Sequence, residues 1–248
     1  MSVDEKNIKT ISYRRWQTFV SMFPTELYGS LPAIPSRFLF RGQGSDAFRL
    51  HSSFDRAFSS VPLPERVRKY DRIRSSFCEL YQRRFGGDVD EMATLSIAQH
   101  NGLPTRLLDW TSNPLVAAYF AFNKAALNNH TKGRVCIWAI EREHPLVHHT
   151  LGLTIFEAPR KQNERAQAQR GYFSHLTGTF EGLEEFAEHG GQQERPLLYR
   201  FIVPVSDAVG AFSFLHTVGV DSYSLFPDIQ GLTYAALESE WLSVLKQY

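Results

Sequence analysis

The segment Ser96-Ile-Ala-Gln-His-Asn-Gly-Leu-Pro-Thr-Arg-Leu-Leu-Asp-Trp-Thr-Ser-Asn-Pro-Leu-Val-Ala-Ala-Tyr-Phe120 sets polar, chemically capable side chains between two structural signals. Gly102 and Pro104 punctuate residues 99–104, which therefore read as irregular backbone of the kind that displays binding side chains. Residues 105–110 follow, apolar at Leu107 and Leu108 and long enough for one short buried strand. Thr111 or Ser112 then offers a helix N-cap, with Pro114 in the first turn and Ala117, Ala118, Phe120 and Ala121 on the packing face. A strand running through a polar turn into a helix presents free N–H groups and the positive end of a dipole, which suits a phosphate.

Upstream, apolar positions Trp16, Phe19, Val20 and Phe23 recur at helical spacing over residues 13–23, and Pro32 and Pro35 end that element. Residues 37–41 form a brief apolar run read as a strand that delivers Arg41 at its C-terminal end, where Gly42 and Gly44 permit a tight turn. Residues 64–85 read as a long charged helix. Ile73, Phe77, Leu80 and Tyr81 point inward there, while Arg66, Arg68, Lys69, Arg72, Arg74, Arg83 and Arg84 point outward. Residues 92–99 form a shorter helix leading into the central segment.

Downstream, the helix over residues 117–127 gives way to a loop at 128–133 and a strand at 134–140. Residues 151–159 are ambiguous and residues 162–169 polar. Residues 169–173 resemble a strand, 178–191 a Gly-rich acidic loop, 198–203 a strand and 204–218 a helix. A turn at 226–231 precedes a C-terminal helix to Leu245. With no internal repeat and no low-complexity linker, the pattern implies one mixed α+β domain over residues 1–248.

The chain's 248 residues carry 27 Lys plus Arg against 26 Asp plus Glu, so no global field announces nucleic acid or membrane. Cys78 and Cys136 form no CxxC and no paired framework, which argues for reduced, buried thiols and a cytosolic protein. The charged N-terminus and the lack of a long apolar run argue against secretion and membrane spanning.

Read singly, the polar residues leave their roles open. Arg41 fits a phosphate contact or a structural ion pair. His100 fits a general base, a ribose contact or a satisfied loop histidine, and Asp109 a base or a capping carboxylate. Trp110 fits core packing or a stacking platform. No G-x-G-x-x-G follows a strand, and neither a P-loop lysine nor H-E-x-x-H occurs. His144, His148 and His149 lack companions for a metal set and read as solvated loop. The arginines of residues 66–74 would be the nucleic-acid face, diluted by Glu65, Asp71 and Glu79.

Phe40-Arg41-Gly42-Gln43, Gln99 to Trp110 with Thr111 and Pro114, the stretch Arg165-Ala-Gln-Ala-Gln-Arg-Gly-Tyr-Phe173 and Leu225-Phe-Pro-Asp-Ile-Gln-Gly231 together resemble the FRG domain family, named for its aromatic-Arg-Gly motif. The likeness covers about residues 35–235. A second resemblance is to the ADP-ribosyltransferase fold. Its marks are an Arg-ending strand, a polar strand-turn-helix with an Ala-x-x-Phe pattern, and a late Gln-bearing strand.

That resemblance implies a split sheet with helical decoration, NAD as substrate, and a bacterial toxin or phage-defence effector acting on nucleic acid. Arg41, His100 and Asp109 become the catalytic set. Arg41, Gly42, Gln43, Gln99, Thr105, Arg106, Trp110, Thr111, Ser112, Gln169 and Phe173 become the NAD-binding set. Where the fold carries a Glu two residues after the late Gln, this chain has Gly171, so Asp109, Glu157, Glu164 and Asp228 are the candidate carboxylates, Asp109 first. The partners to look for are a DNA or RNA acceptor, with Trp110 or Tyr172 against its bases, and a neutralising partner; no membrane is implied. The alternatives are a non-catalytic nucleotide- or nucleic-acid-binding module and a His100/Asp109 hydrolase or nuclease.

Overall fold

Phe38, Phe40, Val135, Ile137 and Ala139 pack into one hydrophobic cluster while Leu39, Cys136, Trp138 and Ile140 pack into another. This strict alternation means that the central strands are covered on both faces, which is why they read as nearly continuous apolar runs. A computed structural model describes residues 2–5, 7–30, 34, 36–86, 90–147, 152–159, 167–191 and 193–246.

The strands are β1 (Ser2–Glu5), β2 (Ile8–Ser12), β3 (Phe38–Gln43), β4 (Leu107–Thr111), β5 (Arg134–Glu141), β6 (Leu153–Glu157), β7 (Gly171–Leu176) and β8 (Leu198–Pro204). They form one eight-stranded sheet in the order β1-β2-β8-β5-β3-β4-β7-β6. Only β2 and β8 pair in parallel, and the other neighbours are antiparallel. The mixed α+β expectation holds. Six consecutive residues of β3 pair with β5, but β3 and β4 share the single register pair Phe40↔Thr111. The sheet forks there, and the fork positions the site.

One face is covered by α1 (Trp16–Tyr28), α5 (Pro114–Leu127), α7 (Ala208–Thr217) and α9 (Ile229–Leu245). α5 lies unusually close to β3 because the contact is made of small residues: a Cβ on Gly42 would fall 1.9 Å from the Ala117 carbonyl oxygen and 2.5 Å from the Ala121 nitrogen. Gly42 thus continues the strand rather than opening a turn, and its glycine is required by the helix above it. α9 is tied to α5 by a buried cluster in which the Tyr119 hydroxyl and the Asn123 amide both donate to Glu238. Burial pushes the Glu238 carboxyl above its ordinary value, opposed by those two hydrogen bonds. α8 (Ser222–Leu225) closes the turn before α9.

The opposite face packs Leu50, Leu146 and Val147 with α6 (Leu183–His189), a helix inside what the sequence presents as a Gly-rich acidic loop. The connection from β3 to β4 carries α2 (Ser53–Ala57), α3 (Leu63–Phe85) and α4 (Glu91–His100). On α3 the expected sidedness is partly reversed. Arg66 is buried at 4 % exposure, within 3.9 Å of the buried Asp55, while Leu80 is 60 % exposed. A counter-charge from α2 overrides the amphipathic pattern. Arg74 is paired with Glu91 at 2.7 Å and Asp71 at 3.7 Å, so the expected basic face of α3 is partly neutralised.

Among the described residues, no helix is long and apolar enough to cross a membrane. Pro32, Pro35, His148, His149, Glu164 and Arg165 lie outside the described residues.

Candidate functional site

At the fork, Arg41 of β3 reaches across to β4. Its Nη1 donates to the Asp109 main-chain carbonyl at 2.7 Å and stands 3.5 Å from the Asp109 carboxylate. A side-chain donor thus supplies, from β3, a bond that a continued ladder would have given. The guanidinium is about four-fifths buried, with its side chain 19 % exposed, and its Nε has no hydrogen-bond partner among the described residues. Burial lowers the Arg41 pKa below its ordinary value; the Asp109 charge opposes this and the nearby Arg56 adds to it. A guanidinium stays protonated under these conditions, so the site holds a partly desolvated cation beside a second cation.

Asp109 is the exposed residue in an otherwise buried strand. Gln99 at the end of α4 donates to its Oδ1 at 2.8 Å, and the Thr105 hydroxyl donates in turn to Gln99 Oε1. Thr105 is fully buried, and its backbone N–H is held by Ser53 of α2. This chain fixes the carboxylate on the side away from the guanidinium and leaves it open to solvent.

Three cavities share Arg41 as a wall. One of about 210 Å³ is lined by Arg41, Asp109, Thr111, Phe120, Lys124 and Gln169 among others. A second, of about 460 Å³, lies between the β3–α2 connection and α5 and takes in Gln43, Phe48, Arg49, His51, Arg56 and Lys124. A third, of about 250 Å³, runs over Gln99, Arg56, Ser53 and residues 102–104 to Asp109. Gln169, just before β7, donates its amide to the Leu225 carbonyl at 3.2 Å and so closes the first cavity from the β7 side.

Arg41, Gly42, Gln43, Gln99, Asp109, Trp110, Thr111 and Gln169 all border at least one of these cavities. Arg106, Phe173 and the Trp110 indole are instead used within the interior. Arg106 is 2 % exposed, with its donors spent on Asp55 Oδ2 at 3.0 Å, the Gly178 carbonyl at 2.9 Å and the Phe180 carbonyl at 2.6 Å. It anchors α2 and the β7–α6 connection to β4, and its side chain, 1 % exposed, is closed off from the cleft. Phe173 is core, packed with Leu95, Leu107 and Ala158. The Trp110 indole is buried and donates to the Ser174 hydroxyl at 2.8 Å, which removes it as a stacking platform. Tyr172 borders a different cavity, with Arg142, His144 and Glu157.

His100 ends α4 rather than standing in a loop, and it borders none of the Arg41 cavities. It is exposed, with Nδ1 3.0 Å from the Ser96 carbonyl, so His100 and Asp109 are not brought together as an acid–base pair. Asp228 caps α9 through the Gln230 N–H, which places that carboxylate in a structural role.

The anion site expected at the start of α5 is also filled from within. Asn113, not Thr111 or Ser112, is the N-cap and accepts from Leu115 N–H at 2.9 Å. The Asn113 N–H donates to Thr111 Oγ1 at 3.1 Å and the Ser112 N–H to the Arg170 carbonyl at 3.2 Å. The positive charge at the cleft is therefore carried by side chains rather than by the helix end.

Arg49, Arg56 and Lys124, which the sequence reading missed, supply most of that charge. No local pattern marks them, since they come from a loop, a five-residue helix and a long helix. Gln43 builds their setting: its Oε1 accepts from the Trp138 indole at 2.8 Å and its amide donates to the Arg49 carbonyl at 3.0 Å.

Compared with known proteins, residues 36–130 match the family model for the FRG domain. That span holds Arg41, Arg49, Arg56, Asp109 and Lys124, and stops before Gln169. No curated protein and no solved structure matches the chain.

Proposed function

With the FRG domain segment at residues 36–130 as the premise, we propose that the Arg41 cleft binds NAD and that the chain transfers ADP-ribose from it. The observation that carries this reading is a juxtaposition. Arg41 on β3, Asp109 and Thr111 on β4, and Gln169 leading into β7 come from three neighbouring strands and line one cavity. These are the three elements by which the sequence resembles the ADP-ribosyltransferase fold, and they are contiguous in space although Gln169 lies well downstream in the chain.

The residues suit a dinucleotide. A diphosphate takes charge-assisted hydrogen bonds best from a planar, pre-oriented guanidinium, and Arg41 is held in place by Asp109 at the wall of the cleft. Asp109 is the candidate carboxylate that lines the cleft. In the reaction the N-glycosidic bond breaks and nicotinamide leaves as a neutral molecule with the bonding electron pair. Positive charge grows on the ribose beside Asp109, and an acceptor nucleophile bonds to the anomeric carbon as its proton passes to a carboxylate. General-base assistance of this kind contributes on the order of 100-fold or more.

Nicotinamide release from NAD by the purified full chain, with and without DNA, RNA and protein mixtures, tests the reading. Release should fall by at least about 100-fold in Arg41→Ala, the scale seen when one preorganised donor to developing charge is removed. Asp109→Asn should lose turnover while retaining NAD binding. Binding without turnover in the parent would replace the transferase by a nucleotide-binding module. Turnover that survives Arg41→Ala would refute the assignment of the cleft.

A further inference from the structure

We propose that the cavity of about 460 Å³ flanking Arg41 is a track for the backbone of a single-stranded nucleic acid, with Phe48 as a base-stacking surface. As a binding site it stands on its own; as the acceptor site of the transferase it rests on the reading of the Arg41 cleft given above.

Among the described residues its wall carries Arg41, Arg49, Arg56, Lys124 and His51 and no carboxylate. That composition stands out in a chain of net charge +1: Arg37 is paired with Glu141, Arg66 and Arg106 with Asp55, and Arg74 with Glu91, whereas Arg49, Arg56 and Lys124 are exposed to solvent along one wall. Among the described residues Arg49, Arg56 and Lys124 have no acidic partner within 4 Å, and Arg56 depresses the pKa of Arg41. Cations gathered from three separate elements without counter-charges repel one another, and an anion with several charges relieves that cost.

The wall is also held in place. Gln43 fixes the Arg49 backbone against Trp138, and Arg56 Nη1 donates to the His51 carbonyl. Phe48, next to Arg49, is 48 % exposed on the same wall and makes no ring–ring contact among the described residues.

Repeating cations beside an exposed aromatic face match a ligand that repeats a phosphate and offers a π face at each unit. That ligand is a single strand of DNA or RNA, whose bases are free to stack. A duplex hides those faces. The diphosphate of a dinucleotide is served by Arg41 in the smaller cavity and leaves Arg49 and Phe48 without a function.

The test is fluorescence anisotropy with the full chain and labelled single strands of roughly 12 nucleotides, as DNA, as RNA and as the matching duplex, over a range of salt. Both single strands should bind better than the duplex, and the preferred strand names the source. The salt slope should correspond to about three neutralised phosphates, near −2, and Arg49→Ala, Arg56→Ala and Lys124→Ala should each flatten it by about 0.7. Arg49→Lys should keep the slope. Phe48→Ala should weaken binding by about 5- to 100-fold with the salt slope unchanged, and should leave nicotinamide release without oligonucleotide at the parent rate.

Absence of binding by the folded parent would overturn the proposal. So would a Phe48→Ala or Arg49→Ala protein that binds the strand as the parent does, or cation variants that change only the KM for NAD, which would give the cavity to the dinucleotide. Strand binding intact in a protein that never releases nicotinamide would refute the transferase reading and leave the track standing.

Discussion

Arg106 sits in the run Thr105-Arg-Leu-Leu-Asp-Trp110, where sequence reasoning assigns it to ligand, and the structure spends it on the interior. Arg106→Met separates the two roles. The substitution keeps the unbranched apolar stem of the side chain and removes three hydrogen bonds, to Asp55, Gly178 and Phe180. Gly178 and Phe180 are half-buried, so water can return to their carbonyls. Asp55 is 4 % exposed and keeps the Ser52 hydroxyl at 2.7 Å and, as its remaining counter-charge, Arg66 at 3.9 Å.

Removing one member of a buried ion pair costs about 3–5 kcal/mol, chiefly through the stranded charge. At about 2–4 °C per kcal/mol for a domain of this size, a loss of about 4 kcal/mol lowers Tm by roughly 8–16 °C. The assay is thermal unfolding followed by circular dichroism, with NAD and oligonucleotide binding measured well below the variant's Tm. Binding there should equal that of the parent. Adding Asp55→Asn should recover part of the loss, because the orphaned charge goes with it and contacting residues couple by about 0.5–3 kcal/mol. A variant that melts within about 2 °C of the parent yet fails to bind would make Arg106 a ligand contact and refute this account.

Two further outcomes follow from the packing. His175 is buried against Tyr70, and burial followed by the nearby arginines pulls its pKa from 6.5 down to about 4. The unfolded chain therefore takes up a proton that the folded chain refuses between these values. Stability is intact above pH 6.5 and falls by about 3 kcal/mol as the pH drops to 4. His175→Gln should flatten that portion of a urea-denaturation pH profile, and an unchanged slope would refute the assignment. Gly42→Ala drives a methyl group into the α5 backbone at 1.9 Å, so it should cost about 1–3 kcal/mol or more and widen the Arg41 cleft. A Tm within about 1 °C of the parent would contradict the close approach of α5.

The strands β3, β5 and β8 and the helix α5 are legible in the sequence because each is specified locally, by short apolar runs or by Pro114 ahead of a small-residue face, although the cap falls at Asn113 rather than at Thr111 or Ser112. β1 and β2 escape notice because they mix charged and polar residues through short extended segments. The sidedness of α3 is misread because Asp55, which draws Arg66 inward, sits on another helix. The site divides in the same way. Asp109, Gln99 and Thr105 lie within one short segment, at most 10 positions apart, so their association survives translation from pattern to space. Arg49, Arg56 and Lys124 are separated by loops and helices and become a group only when α5 and α2 close on β3. Arg106 and Trp110 carry polar atoms that sequence reasoning offers to a ligand, and the fold uses them first.

The bond from Arg41 to the Asp109 carbonyl acts as a latch between two leaves of the sheet, β1-β2-β8-β5-β3 on one side and β4-β7-β6 on the other, joined otherwise by one ladder pair. A ligand that turns the guanidinium toward itself must leave that carbonyl to water or replace its donor, at a cost comparable to a charged hydrogen bond, about 1.5–3 kcal/mol. Affinity at Arg41 and stiffness of the hinge are then two readings of the same free energy. A ligand that drew Arg41 away would thus act directly on the β4 backbone, which pairs with β7.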